Sequence, residues 1–266
     1  MNEPVIKIMT IAGSDSGAGA GIQADMKTVA ALGAYATTVI SAVTAQNTRR
    51  VTDILELPIS LIKAQIDAVA TDIGADAVKT GMLSSSAVIE AVAEKLREHS
   101  LTKIVVVDPV MVSKGGDRLL QKEAVKALRE KLLPLATIVT PNVEEASVLT
   151  EKEIKSLDDM RAAAEELVRM GAKACVVTGG LASGPATDLL YDGKEIKAFT
   201  APRMMSTSTH GTGCTFASAL AVYLARGETP REAVGSAKRY VTNAIRAAYP
   251  LGTGYGPLHH FHEWWK

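Results

Sequence analysis

Aromatic side chains are scarce in this chain: three Phe, two Trp and six Tyr among 266 residues. Since 47% of the residues are hydrophobic all the same, the core has to be built from Ala, Val, Ile and Leu. That palette suits parallel strands covered by helices on both faces. Charge of neither sign is in excess, with 29 Lys plus Arg against 29 Asp plus Glu. This balance argues against a nucleic-acid partner and against a charged interaction tail. Cysteine is nearly absent. Cys175 and Cys214 stand far apart without metal-ligand spacing, which predicts a reducing, cytoplasmic compartment. No run reaches the roughly 18 uninterrupted apolar residues of a membrane span, so no membrane partner is expected. The opening MNEPVIKIMTIAGSD is too short in apolar run and too acidic for a signal peptide. No linker-like segment, low-complexity stretch or repeat interrupts the chain, and one domain over 1–266 is expected.

What is present is a rhythm. Short β-branched runs predict strands over 6–11, 37–43, 77–80, 104–107, 137–139 and 174–177. Helical patterns alternate with them over 23–32, 59–73, 87–99, 122–131, 143–149 and 157–170. Repeats of this kind read as βαβ units and a mainly parallel sheet. The pair Asp192-Gly193 then predicts a hairpin between 189–191 and 195–200. Two long helices follow, the second opening on Thr229-Pro230-Arg231-Glu232, a capping box with proline at the first helical position. Ligands of open α/β sheets bind at the carboxyl ends of the strands. The unusual residues fall there: the glycine-rich loop after strand one, Gln46, Gly81-Met82, Asp108, Asn142 and Thr178-Gly179-Gly180.

Two common nucleotide signatures are missing from the first loop, GSDSGAGAGIQAD. No Gly-Lys-Ser/Thr follows, so it is no Walker A loop, and no acid ends a second strand about 20 residues on, as a nicotinamide site would require. Its plain reading is a tight turn packing the first helix on the sheet. Asn142-Val143-Glu144-Glu145 places an amide and a carboxylate on one face of a starting helix. Such a pair serves either as a helix cap or as one or two oxygens for magnesium bound with a nucleotide. HGTGCTFASAL, residues 210–220, runs a Gly-Thr-Gly turn into a helix, gathering unpaired N–H groups for an anionic oxygen. A helix N-terminus should favour the thiolate of Cys214, whereas Cys175 sits in an apolar strand as inert filling. His259, His260 and His262 are read as a packed terminal tail, since no acid or cysteine stands at convincing spacing. A cysteine-protease reading fails for want of a nucleophile signature around Cys214.

In combination these segments resemble the ribokinase-like superfamily, and within it the hydroxymethylpyrimidine/phosphomethylpyrimidine kinases of thiamine biosynthesis. GSDSGAGAGIQADMKT, ALGAYATTVISAVTAQNT, KTGML, VVVDPVM, TPNVEEA, VTGG, STHGTGCTFASALA and GPLHHFHEWW carry the resemblance, in order, over nearly the whole chain. It implies a three-layer α/β/α fold with a central mainly parallel sheet. It also implies successive phosphorylation of 4-amino-5-hydroxymethyl-2-methylpyrimidine and its monophosphate, with ATP and Mg2+, in a homodimer. Carried over residue by residue, Gln46 would bond the pyrimidine, with Gly13, Asp25, Met82 and Val110 in the same pocket. Asn142, Glu145 and Asp108 would serve the metal, and Thr178, Lys238 and Asn142 the nucleotide. Gly211, Thr212 and Gly213 would form the anion hole, with Cys214 where sugar kinases place a catalytic aspartate. The first loop departs from the pattern, with Ser16, Gly17 and Ala18 where Pro, Ser and Gly are common. A pyridoxal kinase with the same Cys-type site is the nearest alternative. A nucleotide-binding regulator without turnover is another, and the intact Asn142/Glu145 and GTGC set argues against it.

A cysteine at position 214 has a chemical rationale under this resemblance. Phosphoryl transfer rests on alignment and charge stabilisation more than on covalent work by the protein. Cys214 would take the proton of an alcohol in the first step without repelling a phosphate acceptor in the second.

Overall fold

The computed structural model describes residues 4–181 and 184–265. Nine strands form one sheet in the order β3-β2-β1-β4-β5-β6-β7-β8-β9. The strands are β1 (Lys7–Asp15), β2 (Tyr35–Gln46), β3 (Val51–Glu56), β4 (Ala77–Thr80), β5 (Val105–Val107), β6 (Ile138–Val139), β7 (Cys175–Val177), β8 (Ala186–Tyr191) and β9 (Ile196–Ala201). From β2 across to β7 all neighbours are parallel, while β3, β8 and β9 join antiparallel. The sheet is therefore mainly parallel, as the alternating pattern predicts.

Helices cover both faces. On one side α2 (Ile59–Asp72), α3 (Ser86–Glu98), α5 (Val143–Thr150) and α6 (Leu157–Arg169) pack Ile62, Ile66, Ile89, Leu96, Leu149 and Leu167 against Met9, Val78, Val105 and Val139. On the other, α1 (Gly21–Ala31), α7 (Thr212–Ala225) and α8 (Pro230–Arg246) pack Val29, Phe216, Leu220, Val234 and Val241 against Ile8, Ala77, Val106 and Ile138. Alternate strand residues thus serve opposite cores, which is the period-two geometry of a strand. Small residues let α7 sink deepest: Ala217, Ala219 and Ala221 are wholly buried.

Two elements depart from expectation. β3 was not predicted, because VTDILE is nearly all exposed along an edge and carries two acids. The helix expected over 122–131 is α only at α4 (Ala124–Ala127), then a π turn at Leu128–Leu132 and a 3-10 turn at Leu133–Leu135. Pro134 lacks an N–H and crowds the carbonyl four residues back, so the ladder widens and breaks.

The parallel strands fan outward from β1 and β4, which pair although four elements separate them in the chain. Chain order reverses there, leaving a crevice beyond the carboxyl ends of the strands.

Candidate active site

Asp15 ends β1 and organises the loop that follows. Its carboxylate accepts from the N–H groups of Gly17 (2.7 Å), Gly19 (3.0 Å) and Ala20 (2.9 Å). His210 Nε2 lies 2.8 Å from the same carboxylate, and these partners hold Asp15 below its usual proton affinity against the opposing effect of burial. The glycine-rich loop is therefore wound around an internal carboxylate, and three of its amides are already satisfied. Its plain reading as a tight turn holds. Ser16 joins this loop to β2: its hydroxyl accepts from Gln46 N and donates to Gln46 O.

Gln46, the last residue of β2, points its carboxamide toward His210 and Thr44. Gly13 sits at a bulge in β1, where an added Cβ would meet Met82 Sδ at 3.0 Å. Val110 and Gly81 share a small apolar hollow with Leu83 and Ile89. Asp25 is placed differently from the pocket wall expected of it. It is fully buried, with both oxygens taken by Lys79 at 2.9 and 3.1 Å, by Ser218 at 2.7 Å and by Thr10. Asp25 therefore lies under the crevice floor as a structural charge, a correction to its expected role.

The centre of the crevice is the start of α7. Gly211 caps the helix with φ 79°, and an added Cβ there would stand 1.9 Å from Gly19 O. Only glycine meets both demands. Thr212 N turns back to Thr209 O at 3.4 Å, whereas the amides of Gly213 and Cys214 have no acceptor among the described residues. The amides without an acceptor are thus those of Gly213 and Cys214, one position along from the Gly211–Gly213 set expected to meet an anion. Asp108, just past β5, brings both carboxylate oxygens to 3.8 Å from where a Gly213 Cβ would be.

Beneath these groups lies Lys79, on β4 and fully buried. Its ammonium is 2.9 Å from Asp25 and 3.7 Å from Asp108. Sequence reasoning missed it, although a lysine inside a strand as short and apolar as AVKT must find carboxylate partners. Burial pushes the Asp108 carboxyl up to about 6; Lys79 pulls it down and Asp25 pushes it further up. Cys214 is half-buried, with its sulfur in the same low-dielectric floor. Burial pushes the thiol up to about 12, Lys79 draws it down, and Asp108 and Asp25 oppose Lys79. The expectation of a favoured thiolate is thus overturned. The helix N-terminus is there, but desolvation and two carboxylates outweigh it.

At the other end of the crevice Asn142 and Glu145 form a capping box on α5. Asn142 Oδ1 accepts from Glu145 N at 2.9 Å, and Glu145 Oε2 accepts from Asn142 N at 2.9 Å. The cap reading of this pair is correct. Glu145 also turns toward Asp108: burial first, then the charge of Asp108, pushes its carboxyl up to about 8. Asn142 bridges Thr178 at the end of β7. Lys238 on α8 is held at 2.9 Å by Asp188, which also accepts from Gly179 N at 2.8 Å. Asn142, Thr178 and Lys238, the residues expected at a nucleotide, are thus linked through the ends of β6 and β7 and through Asp188 of β8.

The terminal histidines have protein partners. His260 Nε2 is 3.0 Å from Thr215 Oγ1, and His259 Nε2 is 2.8 Å from Trp265 O. Cys175 is wholly buried in β7, the inert filling expected. A shallow hollow of about 470 Å³ between Arg226 and Arg239 lies at the far end of α7. It is ~20 Å from Cys214 at 1.5 Å per residue and takes no part in this site.

The family model of phosphomethylpyrimidine kinase matches residues 15–259. The chain belongs to the phosphomethylpyrimidine kinase family. It is 49% identical over 253 residues to the hydroxymethylpyrimidine/phosphomethylpyrimidine kinase of Streptomyces coelicolor, covering 95% of this chain and 93% of the relative. It is 53% identical to the thiamine biosynthesis bifunctional protein of Geobacter sulfurreducens, but spans only 52% of that relative's length. Among solved structures, pyridoxal kinase of Bacillus subtilis in its ADP complex superposes with TM-score 0.90 at 41% identity, covering 97% of this chain and 98% of that one. Phosphomethylpyrimidine kinase of Clostridium difficile gives 0.81 at 44% identity, covering 90% and 99%. The fold of this phosphomethylpyrimidine kinase family member is thus the ribokinase-like α/β fold that the resemblance implies.

Proposed function

We propose that the chain phosphorylates hydroxymethylpyrimidine with ATP and then phosphorylates the resulting monophosphate. The observation that carries this reading is the pair of unpartnered amides at the start of α7, beside Asp108 and Cys214, at the switch point of the sheet. Amides fixed in this way stabilise charge on a transferring phosphoryl group without reorganising. In the first step the alcohol oxygen attacks the γ-phosphorus, the bond to the bridging oxygen breaks and ADP leaves. The alcohol proton passes to the Cys214–Asp108 pair, where Asp108 has an affinity near neutral. In the second step a phosphate oxygen is the nucleophile, and no strong base is needed. Gln46 supplies donor and acceptor to the pyrimidine, and Lys238 would exchange Asp188 for a nucleotide phosphate.

Magnesium fits this site. Asp108 Oδ2 is buried without a hydrogen-bond partner, with Lys79 3.7 Å away, and burial together with the Asp108 charge raises the Glu145 carboxyl, so the pair would gain from a further cation. Asp108 and Glu145, with Asn142 alongside, would hold the ion directly or through water. The bound ion would neutralise charge on the β- and γ-phosphates. We assign the chain to the cytoplasm and to a homodimer by resemblance. Val43 and Leu55, paired across β2 and β3, leave an exposed apolar patch that a second copy would cover, and sedimentation velocity reads the assembly directly.

The test is a mass-spectrometric product assay with hydroxymethylpyrimidine and Mg-ATP, with monophosphate and then diphosphate expected. The pyridoxal kinase neighbours favour pyridoxal as a second candidate alcohol. Turnover of pyridoxal with none of the pyrimidine would replace the proposal.

A further inference from the structure

His210 stands where the substrate end of the crevice meets the anion hole. Its backbone N donates to Gly256 O at 2.9 Å, and a side chain at Gly19 would run into its ring at 2.3 Å from Cδ2. The imidazole therefore lies close against the first loop, with no room for a side chain between them. Asp15 accepts three backbone N–H groups and is ionised at neutral pH, so it can only accept. His210 Nε2, 2.8 Å away, must carry the hydrogen.

That assignment creates a conflict next door. Gln46 Nε2 stands 3.3 Å from His210 Nε2, which sets two N–H donors face to face. Gln46 Oε1 stands 3.0 Å from Thr44 Oγ1, whose single hydrogen is also wanted by Ser14 O at 3.0 Å. A half-turn of the carboxamide about its last bond removes both conflicts. Its oxygen then takes the weaker share of a three-centre bond from the His210 Nε2–H that Asp15 accepts, its NH2 donates to Thr44, and the Thr44 hydrogen goes to Ser14. One lone pair and one N–H of the carboxamide are left over.

We propose that His210 is a specificity-determining positioning residue, which with Thr44 locks the Gln46 carboxamide with its oxygen on the histidine side. The ligand edge that meets Gln46 must then donate on the His210 side and accept on the Thr44 side. A 4-aminopyrimidine offers that order, with its amino group beside a ring nitrogen. The corresponding 4-oxo lactam, with a carbonyl beside a ring N–H, offers the reverse. Gln reads the adenine edge by the same bidentate logic. The inference rests on the pyrimidine reading of the site and adds to it the orientation of the base.

The test compares kcat/KM for hydroxymethylpyrimidine and for its 4-oxo analogue in the wild type, His210→Leu and His210→Gln. The wild type should prefer the amino compound by about tenfold or more. His210→Leu frees the carboxamide to turn and should erase most of that preference. His210→Gln, which still offers an N–H at similar reach, should restore it. Equal losses on both compounds, with the preference kept, would show a merely structural histidine and overturn the inference. If His210→Leu does not fold by circular dichroism, Thr44→Val removes the opposite anchor, and an unchanged preference there has the same consequence. If the wild type accepts neither alcohol, the pyrimidine reading falls. Nitrogen-15 NMR of the imidazole then still decides the hydrogen-bond arrangement, since an Nε2 without hydrogen contradicts it.

Discussion

Lys79 is the one ammonium that the buried carboxylates Asp25 and Asp108 share, at 2.9 and 3.7 Å. Cys214 adds no charge to that group while its thiol stays protonated. Cys214→Asp would place a third carboxylate against the same cation, facing a crevice that must also admit a phosphate monoester. Two unit charges about 4 Å apart at an effective dielectric near 20 repel by roughly 4 kcal/mol. The substitution is therefore expected to slow diphosphate formation at least tenfold more than monophosphate formation, as measured by single-turnover rates on each acceptor. Equal losses would sink this account of the cysteine. The thiol's protonation state could not be read from HGTGC, because the groups that set it come from α1, β4 and β5. The same holds for the pairing of His210 with Asp15, 195 positions apart in the chain. Residue identities at the strand ends were legible; the charges that surround them were not.

Two helices carry the same local device in different settings. Asn142/Glu145 caps α5 at the crevice, and Thr229/Glu232 caps α8 away from it, with Pro230 next in line. Replacing either cap residue by alanine should cost about 1 kcal/mol of stability in urea unfolding. Thr229→Ala should stop there, with KM for ATP unchanged. Asn142→Ala should also raise KM for ATP several-fold, because its backbone pairs with Thr178, where the nucleotide is proposed to lie, and its carboxamide holds the first turn of α5 in place. A kinetic result identical to that of Thr229→Ala would reduce Asn142 to a cap. Both caps were readable from spacing alone, since their partners are three residues apart. Helix bounds were legible to within one or two residues at α2, α3 and α5 for the same reason. β3 was not, because an exposed edge strand has no buried face to impose an alternating pattern. Nor were the π and 3-10 turns, since Pro134 marks where the ladder fails but not how the turns before it adjust.

At the scale of the molecule, two buried groups oppose one another as pH changes. His260 ties the terminal segment to α7 through Thr215 and to α8 through Tyr240, whose hydroxyl donates to His260 O. Burial, reinforced by the charge of Lys27, pushes its imidazole down from 6.5 to about 3. As pH falls below about 6.5 the unfolded chain takes up a proton that the folded one refuses, so stability is lost toward pH 3. Glu145 works the other way, with a folded value of about 8 against 4.5. As pH rises above 4.5 the unfolded chain releases a proton that the folded one keeps, so stability is lost toward pH 8. Asp108, at about 6 against 3.8, adds to this second limb. Each tenfold difference in proton affinity is worth about 1.4 kcal/mol, so both limbs are large enough to be read by melting. With these three groups alone the ligand-free protein should melt highest at about pH 4 to 4.5, where the gain from His260 balances the losses from Asp108 and Glu145. Glu145→Gln should flatten the alkaline limb and leave the acid limb in place. Magnesium together with a non-hydrolysable ATP analogue should raise the melting temperature most at pH 8, where both carboxylates compete hardest for a cation. An alkaline limb that survives in Glu145→Gln, or a magnesium effect that does not grow with pH, would remove the Asp108–Glu145 pair as the metal's place in the crevice.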